Sequence, residues 1–294
     1  MTATIGIDLR GAAIVAVAVD EHGTILGEAT APLSIGGAVK AAADAARAAG
    51  LGPASPVGLA AWEPNLSEVQ SVADELKSAG VSTVVTAGAG LAAAAAETAF
   101  GAARDAHYVT CLLVGVHVSA GAIVGGRPWT GAHGLAGSAA WLALNPVERQ
   151  DYRNFGCLDS EVSDSGIARR LAWRVEAGDL SRVVERAGGL DKITATHVFE
   201  GARAGDGVAI SVVRDTARYI GMAVANLVAL FDPQATIVGG LVAGAADLLL
   251  EPVRQETLKR LSPALAGHLR LEVPALGERG VAIGAARLAA LSAS

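Results

Sequence analysis

Polar side chains that could do chemistry stand directly after apolar segments of the sequence. Asp8 ends the first segment, and its carboxylate could hold a hydrated Mg²⁺ ion or form the following turn. Arg10 could bind an anion, although a surface position is the commoner one for arginine, and we expect it there. His117 follows a long apolar segment and could act as an acid–base group, although a lone histidine is more often a hydrogen-bonded structural residue. The sequence thus offers ion binding and proton transfer without deciding for either.

Aromatic rings offer a second chemistry, because their faces stack on rings and apolar ligands. Trp62, Trp129 and Trp141 are candidates to line a pocket. His133 lies in a Gly-Ala-His-Gly loop, where a ligand contact and a solvated side chain are both open.

Composition excludes several classes of protein. Of the 294 residues, 52% are hydrophobic and 18% charged, with a mean hydropathy of +0.43, which excludes a disordered chain. No apolar run approaches the roughly 20 residues of a membrane span. The net charge of −6 gives no basic surface for nucleic acid or anionic lipid. Two cysteines, Cys111 and Cys157, are too few for a disulfide framework, and the chain opens without a leader peptide, so we expect a cytoplasmic protein.

Apolar segments and turns predict a mixed α/β fold whose second half repeats the first. A meander of three strands is followed by alternating helices and strands, and the pattern begins again after residue 106. Alanine-rich stretches are given no weight as signals, because a compositional bias would also produce them. The predicted strands are Thr4–Asp8, Ala12–Asp20, Thr24–Ala31, Val57–Ala61, Val81–Thr86, His107–Val118, Ser119–Val124, Ala235–Val238 and Leu269–Val273. The predicted helices include Ile35–Ala49, Leu66–Ser78, Leu91–Phe100, Ala209–Phe231, Ala245–Arg260 and Val281–Ser294.

Segments along nearly the whole chain resemble the ROK family of sugar kinases, repressors and open reading frames, within the actin-like ATPase superfamily. The most specific are residues 223–261 (AVANLVALFDPQATIVGGLVAGAADLLLEPVRQETLKRL), 127–146 (RPWTGAHGLAGSAAWLALNP) and 156–163 (GCLDSEVS). The resemblance implies two α/β domains of ribonuclease H-like topology with an interdomain cleft. Residues 1–106 plus 283–294 would form the smaller domain and residues 107–282 the larger one, in a homodimer.

The resemblance also implies phosphate loops for ATP and Mg²⁺, from which this chain departs. The family's Asp-(Ile/Leu)-Gly-Gly-Thr-(Lys/Asn) loop becomes Asp8-Leu9-Arg10-Gly11-Ala12-Ala13, which puts Arg10 in place of a glycine. In the second loop, Gly115-Val116-His117-Val118-Ser119-Ala120, a histidine replaces a phosphate-facing glycine. The Gly-Gly turn that contacts adenosine in the family is retained as Gly239-Gly240, although these glycines would also suit a strand-to-helix turn without nucleotide. The implied cofactor-binding residues are Asp8, Arg10, Gly11, Gly115, Gly239 and Gly240, and binding of ATP and Mg²⁺ is left open.

The family's catalytic and sugar-binding groups are largely replaced. The catalytic base falls on Ala89, and no Asp or Glu lies between Leu76 and Ala96. Losing a general base typically removes ~10²- to 10⁴-fold in rate. The sugar-binding glutamate and histidine become Ser138 and Trp141. The resemblance implies Asn65, His133, Ser138, Trp141 and Asp159 as ligand-binding residues, and Asp8, His117, His133 and Asp159 are the catalytic candidates.

The zinc site of many family members is also incomplete. Trp141 takes the position of its histidine and could fill the vacated space, and the cysteine cluster retains only Cys157. One thiol cannot build a tetrahedral zinc site, so we expect no zinc.

These departures predict a ROK-type protein that has lost sugar phosphorylation and binds a small molecule, less polar than a sugar, in a remodelled cleft. One alternative is an enzyme with non-kinase chemistry in that cleft. Another is an ATP-dependent, glucokinase-like sugar kinase with displaced catalytic residues. A repressor is not expected, because the chain begins at the first strand without a helix-turn-helix.

Overall fold

The computed structural model describes residues 3–52 and 54–293 and arranges them around two five-stranded sheets. The strands of the first sheet are β1 (Thr4–Asp8), β2 (Ala13–Val19), β3 (Ile25–Pro32), β4 (Val57–Ala61) and β5 (Val84–Gly88). Those of the second sheet are β6 (Val109–Val114), β7 (Val118–Val124), β8 (Arg127–Pro128), β9 (Ala235–Gly240) and β10 (Leu271–Glu272).

The helices surround these sheets. In the first half they are α1 (Ile35–Ala48), α2 (Ser67–Ser78) and α3 (Ala89–Phe100). In the second half they are α4 (Gln150–Phe155), α5 (Cys157–Val162), α6 (Asp164–Glu176), α7 (Val183–Ala187), α8 (Ala195–Arg203), α9 (Gly207–Phe231), α10 (Leu241–Gly244), α11 (Ala246–Leu258), α12 (Pro263–Ala266) and α13 (Gly280–Ala293).

The two sheets share one topology. The first has the order β3-β2-β1-β4-β5, in which the β2 pairings are antiparallel and the β4 pairings parallel. The second has the order β8-β7-β6-β9-β10 with the same alternation. The mixed α/β fold and the repetition of the first half by the second are therefore confirmed.

Several predicted boundaries are wrong. The predicted strand His107–Val118 ends at Val114, because Gly115 to His117 form a turn that pairs Val114 with Val118 in the antiparallel strand β7. The predicted turn at Gly239-Gly240 begins later, because β9 continues to Gly240, where a φ of +70° leads into α10. Ser294, the last residue of the predicted closing helix, lies outside the described residues.

Two helices built from small residues join the halves. Residues 89–97 of α3 are all buried, and α3 packs on β6 and β7 and on α13, which covers β1 and β4. The backbones come so close that a Cβ atom on Gly284 would lie 1.8 Å from the carbonyl oxygen of Ala92. The final helix thus packs on the first sheet, and a domain boundary between residues 282 and 283 falls inside α13.

No helix within residues 3–52 and 54–293 combines the length and the apolar character needed to cross a bilayer.

Candidate functional site

The candidate site lies where three strand ends of the two halves meet. β1 ends at Asp8 and is followed by a turn that carries Arg10, the segment after β4 carries Trp62, and the turn after β6 carries Gly115 and His117. Because β1 and β4 are parallel neighbours, their carboxyl ends share one edge of the first sheet, the edge where α/β proteins commonly bind ligands.

Arg10 forms an ion pair with Asp8, two residues before it. Its Nε lies 2.9 Å from Oδ1 of Asp8, and its Nη2 lies 2.6 Å from Oδ2. The backbone N–H of Arg10 also donates to Oδ1 at 3.0 Å. The side chains are only 18% and 9% exposed, so the interpretation of Arg10 as a surface arginine is wrong. Both oxygens of Asp8 are engaged by a cation from the same turn.

Trp62 covers this ion pair and bridges to the second half. The guanidinium carbon of Arg10 lies 5.4 Å from the centre of the Trp62 ring, within cation–π range. The indole Nε1 donates to the carbonyl oxygen of Arg10 at 3.2 Å. A Cβ atom on Gly115 would lie 2.7 Å from the ring, so the glycine makes room for the indole. The two turns that resemble phosphate loops are therefore joined by one tryptophan.

His117 pairs with a buried carboxylate from α5. Its Nδ1 lies 3.3 Å from Oδ2 of Asp159, which also accepts the backbone N–H of Val118 at 2.9 Å. Burial raises the pKa of Asp159 above its ordinary value, although His117 and the Val118 N–H oppose the shift. The imidazole is half-exposed and forms a T-shaped contact with Trp62, with 6.4 Å between the ring centres and 78° between the ring planes. Asp159 thus orients a half-exposed imidazole, an arrangement able to transfer protons.

A cavity of about 220 Å³ adjoins these residues. Two tryptophan rings form part of its wall, beside the apolar side chains of Leu66, Val118 and Leu135. Its polar lining side chains are Glu63, Asn65, Ser119 and Ser138. The rings belong to Trp62 and Trp141, and Trp141 is half-exposed rather than filling a vacated space.

Two of the four polar side chains in the cavity lining are engaged within the protein. Ser138 donates to the carbonyl oxygen of Leu135 at 2.8 Å, and the Ser119 hydroxyl accepts the Gly90 N–H at 3.1 Å. Within the described ranges, the Glu63 and Asn65 side chains have no hydrogen-bond partner and remain available to a ligand. Sequence reasoning missed Glu63, the one charged residue among the described residues that line this cavity.

The structure brings together only part of the predicted set. Asn65, Ser138 and Trp141 line the cavity, and Asp159 supports its wall through the N–H of Val118. The partner of Asp159 is His117; His133 is exposed and outside the cavity lining.

The other positions named from the sequence are spread around the cleft. Ala89 is fully buried at the start of α3, with no carboxylate in its place. Gly11 is exposed in the β1–β2 turn, and Gly240 begins the turn into α10.

The residues at the implied zinc site do not fit that metal. Cys157 is buried, Trp141 replaces the histidine ligand, and the described part of the chain contains no group of three His, Cys, Asp or Glu side chains able to hold a metal ion. Four ligands of the histidine and thiolate type are needed for a structural zinc, so no role is derived for one.

Comparison with known proteins agrees with the resemblance. The model of the ROK family matches residues 4–291 of the chain. The chain belongs to the ROK family. This ROK protein is 31% identical over 313 residues to the glucokinase of Streptomyces coelicolor, an alignment that covers 98% of each chain. It is 27% identical over 194 residues to a putative xylose repressor of a Caldicellulosiruptor species, covering 66% of this chain and 48% of the repressor.

Solved structures confirm the actin-like ATPase fold of this ROK protein. The ROK glucokinase of Streptomyces griseus, in complex with glucose and AMPPNP, superposes with a TM-score of 0.80 at 28% identity, covering 98% of this chain and 99% of that one. The ROK hexokinase of Thermus thermophilus gives a TM-score of 0.79 at 26% identity, covering 99% and 100%. The chain is therefore sugar-kinase-like in fold and family.

Proposed function

We propose that this ROK protein binds a small ligand in its cleft and does not transfer a phosphoryl group from ATP to a sugar. The ion pair of Asp8 with Arg10, covered by Trp62, carries the proposal. Phosphoryl transfer needs a Mg²⁺ ligand and loops that let backbone N–H groups approach the phosphates. Here the carboxylate is engaged by a guanidinium, and an indole stands against Gly115.

The catalytic base is a second, independent deficit. Ala89 is fully buried at the start of α3, so a sugar hydroxyl at that position would find no carboxylate to accept its proton. Such a loss alone removes about 10²- to 10⁴-fold in rate. Together the two deficits favour loss of the kinase reaction.

The cavity lining supports a ligand less polar than a sugar. Trp62 and Trp141 line the cavity beside three apolar side chains, and Ser119 and Ser138 are already engaged, so a polyol would find only the side chains of Glu63 and Asn65 free to pair with its hydroxyls. Glu63 disfavours anionic ligands by charge repulsion. We infer a ring-bearing, uncharged or cationic ligand.

The test combines calorimetry with turnover. The protein is titrated with ATP and Mg²⁺, and ADP release is followed in the presence of glucose or N-acetylmannosamine, with the Streptomyces coelicolor glucokinase as positive control. We expect no saturable nucleotide binding and no sugar-dependent ADP release. ADP and sugar phosphate formed in equal amounts would overturn the proposal.

One observation favours the alternative of a kinase with displaced residues. Glu63 is the carboxylate of the cavity lining and has no partner in the described part of the protein. If turnover is measured, Glu63→Gln should abolish it under this alternative, whereas Glu68→Gln, on the exposed start of α2, should not.

A non-kinase enzyme is favoured by the pairing of His117 with Asp159. The buried carboxylate fixes the imidazole beside the cavity, as an acid–base reaction requires. A screen of ring-bearing amines and alcohols for chemical turnover, with His117→Gln as the inactive control, tests this alternative. The homodimer and the cytoplasmic location stay predictions.

A further inference from the structure

A dense network of charged and aromatic residues occupies the region where the resemblance places zinc. Its members come from the loop before α4, from α4 and α5, and from α6. We call it the Glu161 network, and it consists of Asn145, Arg149, Asp151, Tyr152, Glu161, Arg169, Arg170 and Trp173.

Glu161 is its buried centre, with a side chain only 5% exposed. Oε1 accepts Nη1 of Arg149 at 2.9 Å and also the hydroxyl of Tyr152. Oε2 accepts Nη2 of Arg170, which in addition donates to the Glu161 carbonyl oxygen at 2.6 Å. Two arginines and a phenol therefore compensate a carboxylate that would otherwise be costly to bury.

Asp151 forms a second centre through the same arginine. It binds Arg149 and lies 3.0 Å from Nη2 of Arg169. Burial works against its ionisation, but Arg149 and Arg169 hold the pKa of Asp151 below its ordinary value. The ring of Trp173 lies within 4.9 Å of the Arg149 guanidinium carbon and 5.2 Å of that of Arg169. The charges are thus locked by cation–π contacts as well as by ion pairs.

The network also reaches the long helix α9. Nη1 of Arg170 lies 3.3 Å from the Thr216 hydroxyl. The Asn145 amide donates to the hydroxyls of Tyr152 and Tyr219, each at 3.2 Å. The loop before α4 is therefore tied to α4 and α9, and α6 is tied to α9.

Two parts of the cleft adjoin the network. Asp159 lies two residues before Glu161 in α5, so the helix that anchors in the network also presents the carboxylate that holds His117. Gly156, with a φ of +91°, packs so tightly that a Cβ atom there would lie 2.2 Å from the carbonyl oxygen of Ala140, the neighbour of Trp141.

We propose that the Glu161 network performs in this chain the structural work of the family's zinc ion: it cross-links residues 145–161 to α6 and α9 and thereby holds Asp159 and, through the packing of Gly156 on Ala140, Trp141 at the cleft. The disagreement between these residues and a zinc site motivates the proposal. The proposal does not depend on whether the cleft binds nucleotide or another ligand.

The first test uses the wild-type protein and requires no variant. Zinc content is measured on purified protein, and the melting temperature is compared with and without 1,10-phenanthroline. We expect far less than one zinc per chain and an unchanged melting temperature. One zinc per chain, with a melting temperature that falls on chelation, would overturn the proposal.

The second test compares two glutamate variants of the same region. Glu161→Gln removes the buried charge, whereas Glu148→Gln removes an exposed one that pairs with Arg153. For Glu161→Gln we expect a melting temperature lower by roughly 5 to 10 °C. We also expect amide hydrogen exchange to accelerate at least about tenfold in residues 139–162 but not in the first sheet. The control should match wild type in both.

Exchange in residues 139–162 that stays at the wild-type rate would sink the proposal, and so would a uniform acceleration over the whole chain, because both outcomes deny a local anchoring role. Should Glu161→Gln fail to fold, Arg169→Gln serves instead, since its side chain is more exposed at 27% and contacts the network through Asp151.

Discussion

The Nη2 atom of Arg10 lies 2.6 Å from Oδ2 of Asp8, and both side chains are largely buried at the strand edge where the two halves meet. A guanidinium held this way supplies a fixed positive charge beside the carboxylate. The geometry of the pair leads to a measurable coupling.

Arg10→Ala should lower the free energy of unfolding by about 1–3 kcal/mol, because it leaves a largely buried carboxylate without its charged partner. Asp8→Asn and the double variant complete a double-mutant cycle in urea unfolding at pH 7. The coupling energy between Arg10 and Asp8 should exceed that of the exposed pair Asp44 and Arg47, which we expect at about 0.2–0.5 kcal/mol. Equal coupling in the two cycles would show that the buried pair is energetically unimportant.

The contact between Trp62 and Gly115 predicts a steric dependence between the two halves. Gly115→Ala would place a methyl group 2.7 Å from the indole, so we expect a loss of roughly 1–3 kcal/mol in unfolding free energy. In a Trp62→Ala background the same substitution should cost nearly nothing, because the clashing ring is gone.

Gly36→Ala is the matched control for this pair of variants. A Cβ atom there meets nothing within 4 Å, and the position lies in α1, where alanine is the better helix former. It should leave stability unchanged or raise it. A Gly115→Ala variant that is destabilised equally with and without the indole would contradict the packing role of Trp62.

The repeated α/β arrangement could be predicted because short apolar segments alternate with turn residues along the chain, and this pattern recurs after residue 106. The role of α3 could not be predicted in this way. A compositional bias toward alanine would also produce such a sequence, yet residues 89–97 are all buried between β7 and α13. A helix buried on every side has no amphipathic stripe, so its small residues show no periodic signal that distinguishes close packing from compositional bias.

Part of the cavity lining could be predicted, Trp62 from its aromatic ring and other residues from the resemblance. Asn65, Ser138 and Trp141, which the resemblance implies as ligand-binding residues, line the cavity, whereas His133 and Asp159 do not, and ligand binding by these residues stays a prediction. The bond between His117 and Asp159 joins residues 42 positions apart, and no local pattern encodes such a distance. Glu63 lies two residues after β4, where no sequence pattern distinguishes a carboxylate that lines a cavity from one that faces solvent.

The buried carboxylate of Asp159 predicts an unusual dependence of stability on pH. Because burial raises its pKa in the native state, ionisation above that pKa disfavours folding, whereas below about pH 3.9 the group is protonated in both states. Asp159→Asn should therefore stabilise the protein relative to wild type at pH 7 to 8, and this gain should shrink as the pH falls to 4. Melting temperatures across this range provide the measurement.

Asp206 is the matched control of opposite sign. Burial works against its ionisation, but the N–H groups of Ala209 and Arg182 lower its pKa below the ordinary value. Asp206→Asn should thus destabilise the protein above about pH 4, with the loss vanishing as the pH falls through the native pKa. If the change in melting temperature relative to wild type varied with pH in the same way for both asparagine variants, the raised pKa assigned to Asp159 would be wrong.

Glu97 connects the two halves of the protein, and among these single substitutions its replacement should lower the free energy of unfolding most. Its side chain is buried, and the residue is only 1% exposed. Oε2 of Glu97 accepts hydrogen bonds from the N–H groups of Ala102 at 2.7 Å and Ala275 at 3.0 Å, and Oε1 accepts one from the N–H of Leu276 at 3.0 Å. It thereby ties the end of α3 to the segment that leads into α13. Glu97→Ala would leave three N–H groups without their acceptor and should cost roughly 3 kcal/mol or more of unfolding free energy.

Glu75→Ala, on the exposed face of α2, provides the comparison and should change stability by no more than about 0.5 kcal/mol. Urea unfolding followed by circular dichroism gives both values. Amide hydrogen exchange then separates a local from a global effect. If Glu97 connects these segments, Glu97→Ala should accelerate exchange in residues 98–106 and 272–280 while the two sheets remain protected. If β1 and β2 lost protection first, Glu97 would not be the residue that holds the two halves together.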